Sequence, residues 1–340
     1  MPDLPERISS LPPDKRLLLQ RLLEVETAAP GAGHDPQRGH PGHGEARGTG
    51  RQSGMKVPAL APGEDDPSRE AKSECRAYYN TINQQLNATE FGEFSFFLNY
   101  GYVPDDNPQD AQIVLPNHYL NRNSARLVLE LIGGCKPTGY SLLDVGCGRG
   151  GTLEVILKFF SVKHVTGIDL SPEAISFCKA MHRYPQASFL EADAEALPFK
   201  NKAFDIVTNV ESSHSYPDLR MFYTEVFRVL KPAGRFLYTD VLSAEHLAET
   251  LSCLKSTGFL IERQRDITSN VMLSCQELAQ SRALVFAGHG DPQMAEFLAL
   301  PGSVAYEGLR TGIDTYMLFQ LLKPERHGLW DATLPLTCAR

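Results

Sequence analysis

The chain has 340 residues, of which 42% are hydrophobic and 22% charged, and its 33 Lys and Arg against 41 Asp and Glu give a formal net charge of −8. This composition excludes a wholly disordered chain, a collagen-like repeat and a disulfide-stabilised miniprotein. The excess of acids argues against a nucleic-acid partner or an anionic membrane surface, because binding to either depends on Lys and Arg. The length alone predicts roughly two domains, or one large domain with appendages.

The first 70 residues predict a short helix followed by a linker. Leucines in the range 1–27 fall on one face at helical spacing, which predicts an amphipathic helix. The range 28–70 is rich in Gly and Pro and almost free of large apolar residues, so we expect a disordered linker there.

The sequence carries no targeting signal that we recognise. Its N-terminus lacks the basic start and apolar stretch of a signal peptide, and it has no apolar run of about 18 residues. The seven cysteines are scattered without a C-x-x-C pair, which fits reduced thiols. We therefore expect a cytoplasmic protein without a membrane span.

From residue 141 onward, strand and helix patterns alternate. This alternation predicts an α/β fold with a parallel, doubly wound sheet, in which ligands bind at the carboxyl ends of the strands. We assign this core to residues 126–325 and a C-terminal tail to residues 326–340. The predicted strands are 141–147, 164–170, 188–193, 204–210, 235–241, 259–267 and 314–322.

A glycine-rich loop, Asp144-Val-Gly-Cys-Gly-Arg-Gly-Gly151, joins the first predicted strand to the first helix. It satisfies the dinucleotide pattern G-x-G-x-x-G through Gly146, Gly148 and Gly151, with Asp169 about 20 residues further on. It also satisfies the D-x-G-x-G-x-G loop of S-adenosylmethionine enzymes, through Asp144 and the glycines at 146, 148 and 150. The loop alone indicates an adenosine-containing ligand and leaves these two alternatives open.

Acidic residues near the loop favour the second alternative. Asp144 would repel a pyrophosphate and attract a cationic methionyl ammonium group. Asp193 places a further acid at the end of the third strand, where it suits an adenine amino group. Local capping of loops is the simpler explanation for such acids. Three acids after three consecutive strands are hard to explain by capping alone.

Several motifs together resemble the class I S-adenosylmethionine-dependent methyltransferases: LLDVGCGRGG, GIDLS, EADAEALPF, FDIVTNVESSH and RVLKPAGRFLYTD. The resemblance covers about residues 71–324. It implies a Rossmann-like sheet of seven strands with the last strand antiparallel. NVESSHSYPD and FLNYGY resemble small-molecule O-methyltransferases of polyketide and lipid pathways, above all the phthiotriolone-type enzymes.

The resemblance also implies cofactor contacts at particular positions. The backbone of Gly146 and Gly148 would face the methionyl group, with Gly150 completing the loop and Asp144 near the amine. Asp169 would hold the ribose hydroxyls and Leu170 would flank the adenine. Asp193 and Ala194 would recognise the adenine edge, and the backbone carbonyl of Asn209 would meet the methionyl ammonium.

His214 is the predicted catalytic base, because related O-methyltransferases place a histidine in this loop and histidine titrates near neutral pH. The alternative is that it orders the loop. Asp240, at the end of the fifth strand, would orient His214, bind substrate or cap the helix that follows. Glu211 keeps carbon methylation of the sterol or tocopherol type open as an alternative. We expect no metal.

Eight aromatic residues lie between positions 78 and 102, within the range 71–125. We expect a helical lid that closes over the cofactor, with Tyr79 and Tyr100 in contact with it; packing on the sheet edge is a compatible reading. The insertion at 284–309 would cover the pocket from the other side, which predicts a mid-sized, mostly apolar small-molecule acceptor.

Residues 11–25 resemble the opening of condensation domains in nonribosomal peptide synthetases. This resemblance implies docking to a polyketide or peptide assembly line, and a frayed amphipathic helix is the alternative. A third functional class, a binding protein that keeps the cofactor without turnover, is disfavoured by His214 and the intact glycine loop.

Overall fold

The computed structural model describes residues 67–89, 92–104, 113–116, 119–286 and 292–325. Its centre is one seven-stranded sheet in the order β3-β2-β1-β4-β5-β7-β6. The strands are β1 (Ser141–Val145), β2 (His164–Asp169), β3 (Ala187–Glu191), β4 (Phe204–Val210), β5 (Leu230–Ser243), β6 (Leu260–Asp266) and β7 (Asp314–Leu322).

Nine α-helices surround this sheet in the described part of the chain. They are α1 (Pro67–Ala88), α2 (Arg122–Ile132), α3 (Gly151–Phe159), α4 (Pro172–Met181), α5 (Leu219–Val229), α6 (Leu247–Thr257), α7 (Thr268–Phe286), α8 (Pro292–Phe297) and α9 (Val304–Thr311). Ser171 starts α4 as predicted, since its hydroxyl accepts the Ala174 N–H at 3.1 Å and Pro172 occupies the first turn. None of the helices described is long and apolar enough to cross a membrane.

The predicted architecture is confirmed. Strands β1 to β5 pair in parallel, and β7 runs antiparallel to both β5 and β6. Side chains alternate between two apolar layers, as a sheet covered on both faces requires: Leu142 packs in one layer and Leu143 in the other. Helices α2, α3 and α7 contribute to the first layer, and α5 and α6 contribute to the second.

Some boundaries differ from the sequence prediction. Helix α1 begins at Pro67, inside the range 28–70 that we assign to the linker, because proline suits the first turn and Glu70 favours it electrostatically. Strand β5 begins at Leu230 rather than 235, and its register with β4 shifts between Phe204 and Ile206. The predicted N-terminal helix, its docking segment at 11–25, most of the linker and the C-terminal tail lie outside the described residues.

The strand order reverses direction between β1 and β4. Strands β2 and β3 extend from β1 to one side, while β5 extends from β4 to the other. The connecting loops therefore diverge and leave a crevice at the carboxyl ends of these strands, which is where open α/β sheets bind ligands. Both the glycine loop and the loop that carries His214 lie at this edge.

Candidate active site

The glycine loop turns sharply after β1. Gly146, Gly148 and Gly150 have φ angles of 68°, 51° and 82°, which side chains rarely tolerate. A Cβ at Gly148 would also lie 2.8 Å from Leu98 Cδ1, so a side chain there would have to displace the end of the leucine side chain. Gly146 and Gly148 line the crevice, so the loop forms a backbone cradle open to a ligand.

Asp169 at the end of β2 is fixed by the same loop. Its carboxylate accepts the Gly148 N–H at 2.8 Å and the Ser171 N–H at 2.9 Å. Burial raises its pKa, an effect that these backbone hydrogen bonds oppose. Asp169 and Leu170 both line the cavity. This position agrees with the predicted contacts of Asp169 with the ribose hydroxyls and of Leu170 with the adenine.

Asp193 and Ala194, just after β3, form the next part of the wall. One Asp193 oxygen accepts the Glu195 N–H at 2.8 Å, and the other accepts Lys72 Nζ of α1 at 2.7 Å. Helix α1 thus lines the cavity and contacts, through Lys72, the acid that we assign to the adenine edge; its role as a lid stays a prediction.

His214 lies in a short 3₁₀ turn, Ser213–Ser215, after β4. Its Nδ1 lies 2.7 Å from Asp240 Oδ1, and its side chain is 37% exposed, whereas that of Asp240 is completely buried. An ionised carboxylate only accepts hydrogen bonds, so Nδ1 carries the proton and Nε2 of the neutral ring is an acceptor. Nε2 lies 3.4 Å from the Tyr79 hydroxyl.

Asp240 holds the whole turn as well as the ring. Its Oδ2 accepts the N–H groups of Ser212 at 3.2 Å, Ser213 at 2.6 Å and His214 at 3.1 Å. Of the three roles open to Asp240, these contacts are those expected of a residue that orients His214, and this role stays a prediction. It does not cap α6, which begins seven residues later at Leu247.

Burial of His214 lowers its pKa, but the attraction and hydrogen bond of Asp240 and the attraction of Glu211 outweigh that effect and raise the pKa overall. An ordinary histidine titrates near 6.5. His214 therefore gains its proton at a higher pH than an ordinary histidine.

Glu211 lies beside this pair and lines the cavity. Its φ angle is 51°, and its Oε2 accepts the Tyr316 hydroxyl at 2.6 Å and the Tyr100 N–H at 2.9 Å. Burial raises its pKa to about 7, against the opposing effect of the Tyr316 hydrogen bond. The sequence analysis missed Tyr316, which lies 105 residues away from Glu211 in the chain.

The aromatic segment covers the crevice. Tyr79 of α1 contacts both Ser215 Oγ at 3.0 Å and His214, and its ring packs edge-on against Phe297 of α8. Tyr100 lines the cavity next to Glu211. Helix α1 and part of the insertion at 284–309 therefore approach the same space from two sides, while residues 287–291 lie outside the described part.

Three of the predicted cofactor residues do not line the cavity. Asp144 is buried and accepts the Thr208 hydroxyl at 2.6 Å, and burial raises its pKa to about 7. Gly150 begins α3 against the ring of His182. The Asn209 amide is buried, donating to Val145 O at 2.9 Å. The side chains of Asp144 in β1 and Asn209 in β4 therefore point into the interior, and Gly150 lies at the helix cap.

Arg149, inside the glycine loop, is a functional candidate that the sequence analysis left unassigned. Its side chain is fully buried, and the guanidinium carbon lies 3.5 Å above the Phe177 ring. It ties the loop to the aromatic segment by donating to Asn83 Oδ1, Asn87 Oδ1, Gly92 O and Ser95 O. The sequence signal that could have pointed to Arg149 is its position as a charged residue between Gly148 and Gly150.

We expect Arg149→Lys to lower the free energy of unfolding by about 2–4 kcal/mol, because one ammonium group cannot reach all four acceptors and buried acceptors without partners are costly. Urea denaturation of the cofactor-free protein measures this. The matched control is the exposed Arg183→Lys, which should change stability by less than about 0.5 kcal/mol. Equal stabilities for the two variants would contradict the assigned role.

The cavity bounded by these residues has a volume of about 1840 Å³. Pockets for one ligand usually occupy roughly 300–1,000 Å³, so this space suits a cofactor together with a second molecule. The glycine cradle, Asp169 and Asp193 fit a cationic adenosyl ligand by shape and charge. In the described residues no cluster of three or more His, Cys, Asp or Glu has the geometry of a metal site; a metal-free site stays a prediction.

Comparison with known proteins agrees with this geometry. A family model described as a methyltransferase domain matches residues 143–238. The fatty-acid O-methyltransferase of Mycolicibacterium smegmatis is 34% identical over 67% of this chain and 83% of its own length. The phthiotriol/phenolphthiotriol dimycocerosates methyltransferase of Mycobacterium tuberculosis is 32% identical over 67% of this chain and 85% of its own.

Solved structures share the fold. The [4+2]-cyclase SpnF matches with a TM-score of 0.56 and 22% identity over 74% of this chain and 96% of that chain. A geranyl diphosphate C-methyltransferase from Streptomyces coelicolor A3(2) matches with a TM-score of 0.55 and 19% identity over 76% and 100%. The fold thus hosts different chemistries, but the two closer relatives are both methyltransferases. The chain belongs to the class I S-adenosylmethionine-dependent methyltransferases, and S-adenosylmethionine is its cofactor.

Proposed function

We propose that the protein methylates a hydroxyl or enol oxygen of a mid-sized, mostly apolar natural product, with His214 as the general base. The observation that carries this proposal is the contact between His214, which lines the cavity, and the buried carboxylate of Asp240, 2.7 Å from its Nδ1. Asp240 accepts the Nδ1 proton, so Nε2, whose described partner is the Tyr79 hydroxyl at 3.4 Å, is the ring atom that can accept a proton from an acceptor hydroxyl.

S-adenosylmethionine, when bound, supplies a methyl group that transfers to the acceptor oxygen while the electron pair of the broken carbon–sulfur bond stays on sulfur. The acceptor's proton passes to Nε2 of His214. Asp240 stabilises the imidazolium that forms, in the way an aspartate supports histidine in hydrolase triads. The lid residues exclude water and align the reactants, which is the main task left to the protein.

The acceptor class rests on the cavity and the relatives. Apolar side chains from the aromatic segment, α8 and β5 line the cavity: Phe97 and Leu98 next to the glycine loop, and Val241, Leu242 and Phe297. The similar proteins are named for fatty acids and for phthiotriol dimycocerosates, which are apolar molecules with reactive oxygens. A polyketide or related lipid is the acceptor we propose. Docking to an assembly line through residues 11–25 stays a prediction without structural support.

Carbon methylation is the second candidate, and Glu211 is the observation that favours it. With a pKa of about 7, this carboxyl group exchanges a proton near neutral pH, as a base for a carbon acid must. It lines the cavity a few residues from His214. Its Oε2, however, already accepts two hydrogen bonds, so we rank it below His214.

The proposal predicts the pH dependence of turnover. Since the pKa of His214 is raised, the ring is protonated over a wider pH range, and kcat/KM should rise with pH through a midpoint above about 6.5. In Asp240→Asn the attraction that raises the pKa is gone, so the midpoint should move to lower pH while the maximal rate falls. Initial rates with labelled cofactor, measured from about pH 5.5 to about pH 9 on either side of the ordinary histidine pKa, give both the midpoint and the maximal rate.

Glu211 titrates in the same range, so Glu211→Gln is the control for this profile. If His214 governs the rate, the midpoint should shift downward only slightly in Glu211→Gln, through the loss of one weaker attraction. A profile that becomes flat in Glu211→Gln and keeps its midpoint in Asp240→Asn would assign the base to Glu211 instead.

A further inference from the structure

The charges that line the cavity are strongly unequal. Among the described residues of its wall, nine are Asp or Glu and two are Lys or Arg. One of the two, Lys72, is engaged by Asp193 at 2.7 Å and by Glu195 at 2.5 Å beside β3. The other, Arg220, is exposed at the start of α5. Among the described contacts of the turn Ser213–Ser215, neither Lys72 nor Arg220 is a partner.

The acceptor end of the cavity holds carboxyl groups on or just behind its wall. The His214 ring is bonded to Asp240, and Glu211 lies beside both. Arg282 packs behind Tyr100, where it donates to the carbonyls of Leu298, Asn99 and Tyr100, and it is absent from the cavity wall. An anionic group placed against Nε2 would therefore meet the Glu211 carboxyl group, which is charged above its pKa of about 7, and no Lys or Arg of the described cavity wall lies among its contacts to offset that charge. Even a protonated His214 would not offset it, since Asp240 already balances that charge.

The pair of His214 and Asp240 also points to the protonation state of the acceptor. A carboxylic acid loses its proton near pH 4 in water, so at neutral pH it needs no base before it accepts a methyl group. A hydroxyl keeps its proton at neutral pH and does need one. An oriented histidine is thus useful for a hydroxyl acceptor and has no proton to remove from a carboxylate.

We propose that the acceptor site selects an uncharged hydroxyl compound and rejects free carboxylates and phosphates. The inference rests on the proposed function and narrows its acceptor class. It separates this protein from the activity for which the M. smegmatis relative is named, because Coulomb repulsion in a partly desolvated site is much stronger than in water. The same negative charges favour binding of the cationic cofactor. They contribute less to binding of S-adenosylhomocysteine, which has lost the sulfonium charge.

Two acceptors with the same alkyl chain and different polar groups test this selection. We would use para-dodecylphenol and para-dodecylbenzoic acid, which differ in charge at neutral pH. At about pH 8.5 Glu211 is charged, because its pKa is about 7, and a phenol is still neutral, because phenols titrate near 10. At this pH, equilibrium binding to protein saturated with S-adenosylhomocysteine should favour the phenol by at least about tenfold, which corresponds to about 1.4 kcal/mol. In Glu211→Gln the acid should gain affinity by several-fold while the phenol stays unchanged, since Gln keeps the acceptor oxygen for Tyr316. The control Glu249→Gln, on the exposed part of the same wall, should leave the ratio as it is in the wild type.

Equal or tighter binding of the acid would overturn the inference. Failure of the phenol to bind the protein saturated with S-adenosylhomocysteine would also overturn it. An unchanged ratio in Glu211→Gln would overturn the assignment to this carboxylate. These outcomes are distinct from failure of the proposed function. A protein that methylates the benzoic acid in preference to the phenol is still an O-methyltransferase, whereas transfer to a ring carbon of the phenol would contradict oxygen methylation itself.

Discussion

Replacing His214 by alanine should lower turnover by roughly 10²–10⁴-fold, which is the usual contribution of a general base. His214 lines the cavity and its Nε2 is the proposed proton acceptor, so alanine leaves the acceptor's proton without a recipient. Cofactor affinity should remain close to that of the wild type, because His214 lies at the acceptor side, away from Asp169 and Asp193. Steady-state rates with labelled cofactor, together with calorimetric binding, measure the two effects separately.

His246→Ala is the matched control for this variant. His246 also lines the cavity, but it is exposed at the start of α6, away from Asp240. We expect its loss to change turnover by less than a few-fold. Wild-type turnover in His214→Ala would remove His214 from the mechanism, and a large loss of cofactor affinity would assign it to cofactor binding.

Gly148→Val should abolish binding of S-adenosylmethionine. A Cβ at this position would lie 2.8 Å from Leu98 Cδ1, and a β-branched residue is strained at a φ of 51°. The valine would also fill the cradle in which we place the methionyl group. Isothermal titration calorimetry with the cofactor should show no measurable binding.

Gly139→Val separates the loss of space from the strain of the backbone. Gly139 has a comparable φ of 75°, but a Cβ there would have no heavy atom within 4 Å. This variant should bind the cofactor as the wild type does, with a similar cost in backbone strain. Circular dichroism establishes that both variants are folded. Retained binding in a folded Gly148→Val would contradict the placement of the cofactor site.

Patterns within a few residues were sufficient to predict most of the fold. Alternation of strands and helices, and a turn signal such as Ser171-Pro172, reflect local geometry that the chain obeys wherever it folds. The resemblance supplied the antiparallel last strand, because β7 pairs with β5 across more than 70 residues. The sequence was also sufficient to place His214 and Asp240 at one edge of the sheet. His214 follows β4 and Asp240 lies near the end of β5, and the two strands are parallel neighbours.

The sequence could not show which way individual side chains point. Asp144 and Asp169 both follow the acidic pattern of the family, yet the first faces Thr208 in the interior and the second faces the cavity. Contacts between distant segments were equally invisible, as for Arg149 with Ser95, or Glu211 with Tyr316. These contacts depend on tertiary packing, which no local spacing encodes.

The atom that receives the methyl group tests the account most directly. Pathway extracts incubated with the protein and cofactor carrying a carbon-13 methyl group give a labelled product, whose mass and methyl resonance identify the bond that has formed. We expect a methoxy resonance that depends on His214 and is lost in His214→Ala. A methyl resonance on carbon, or equal labelling by wild type and His214→Ala, would contradict oxygen methylation with His214 as its base.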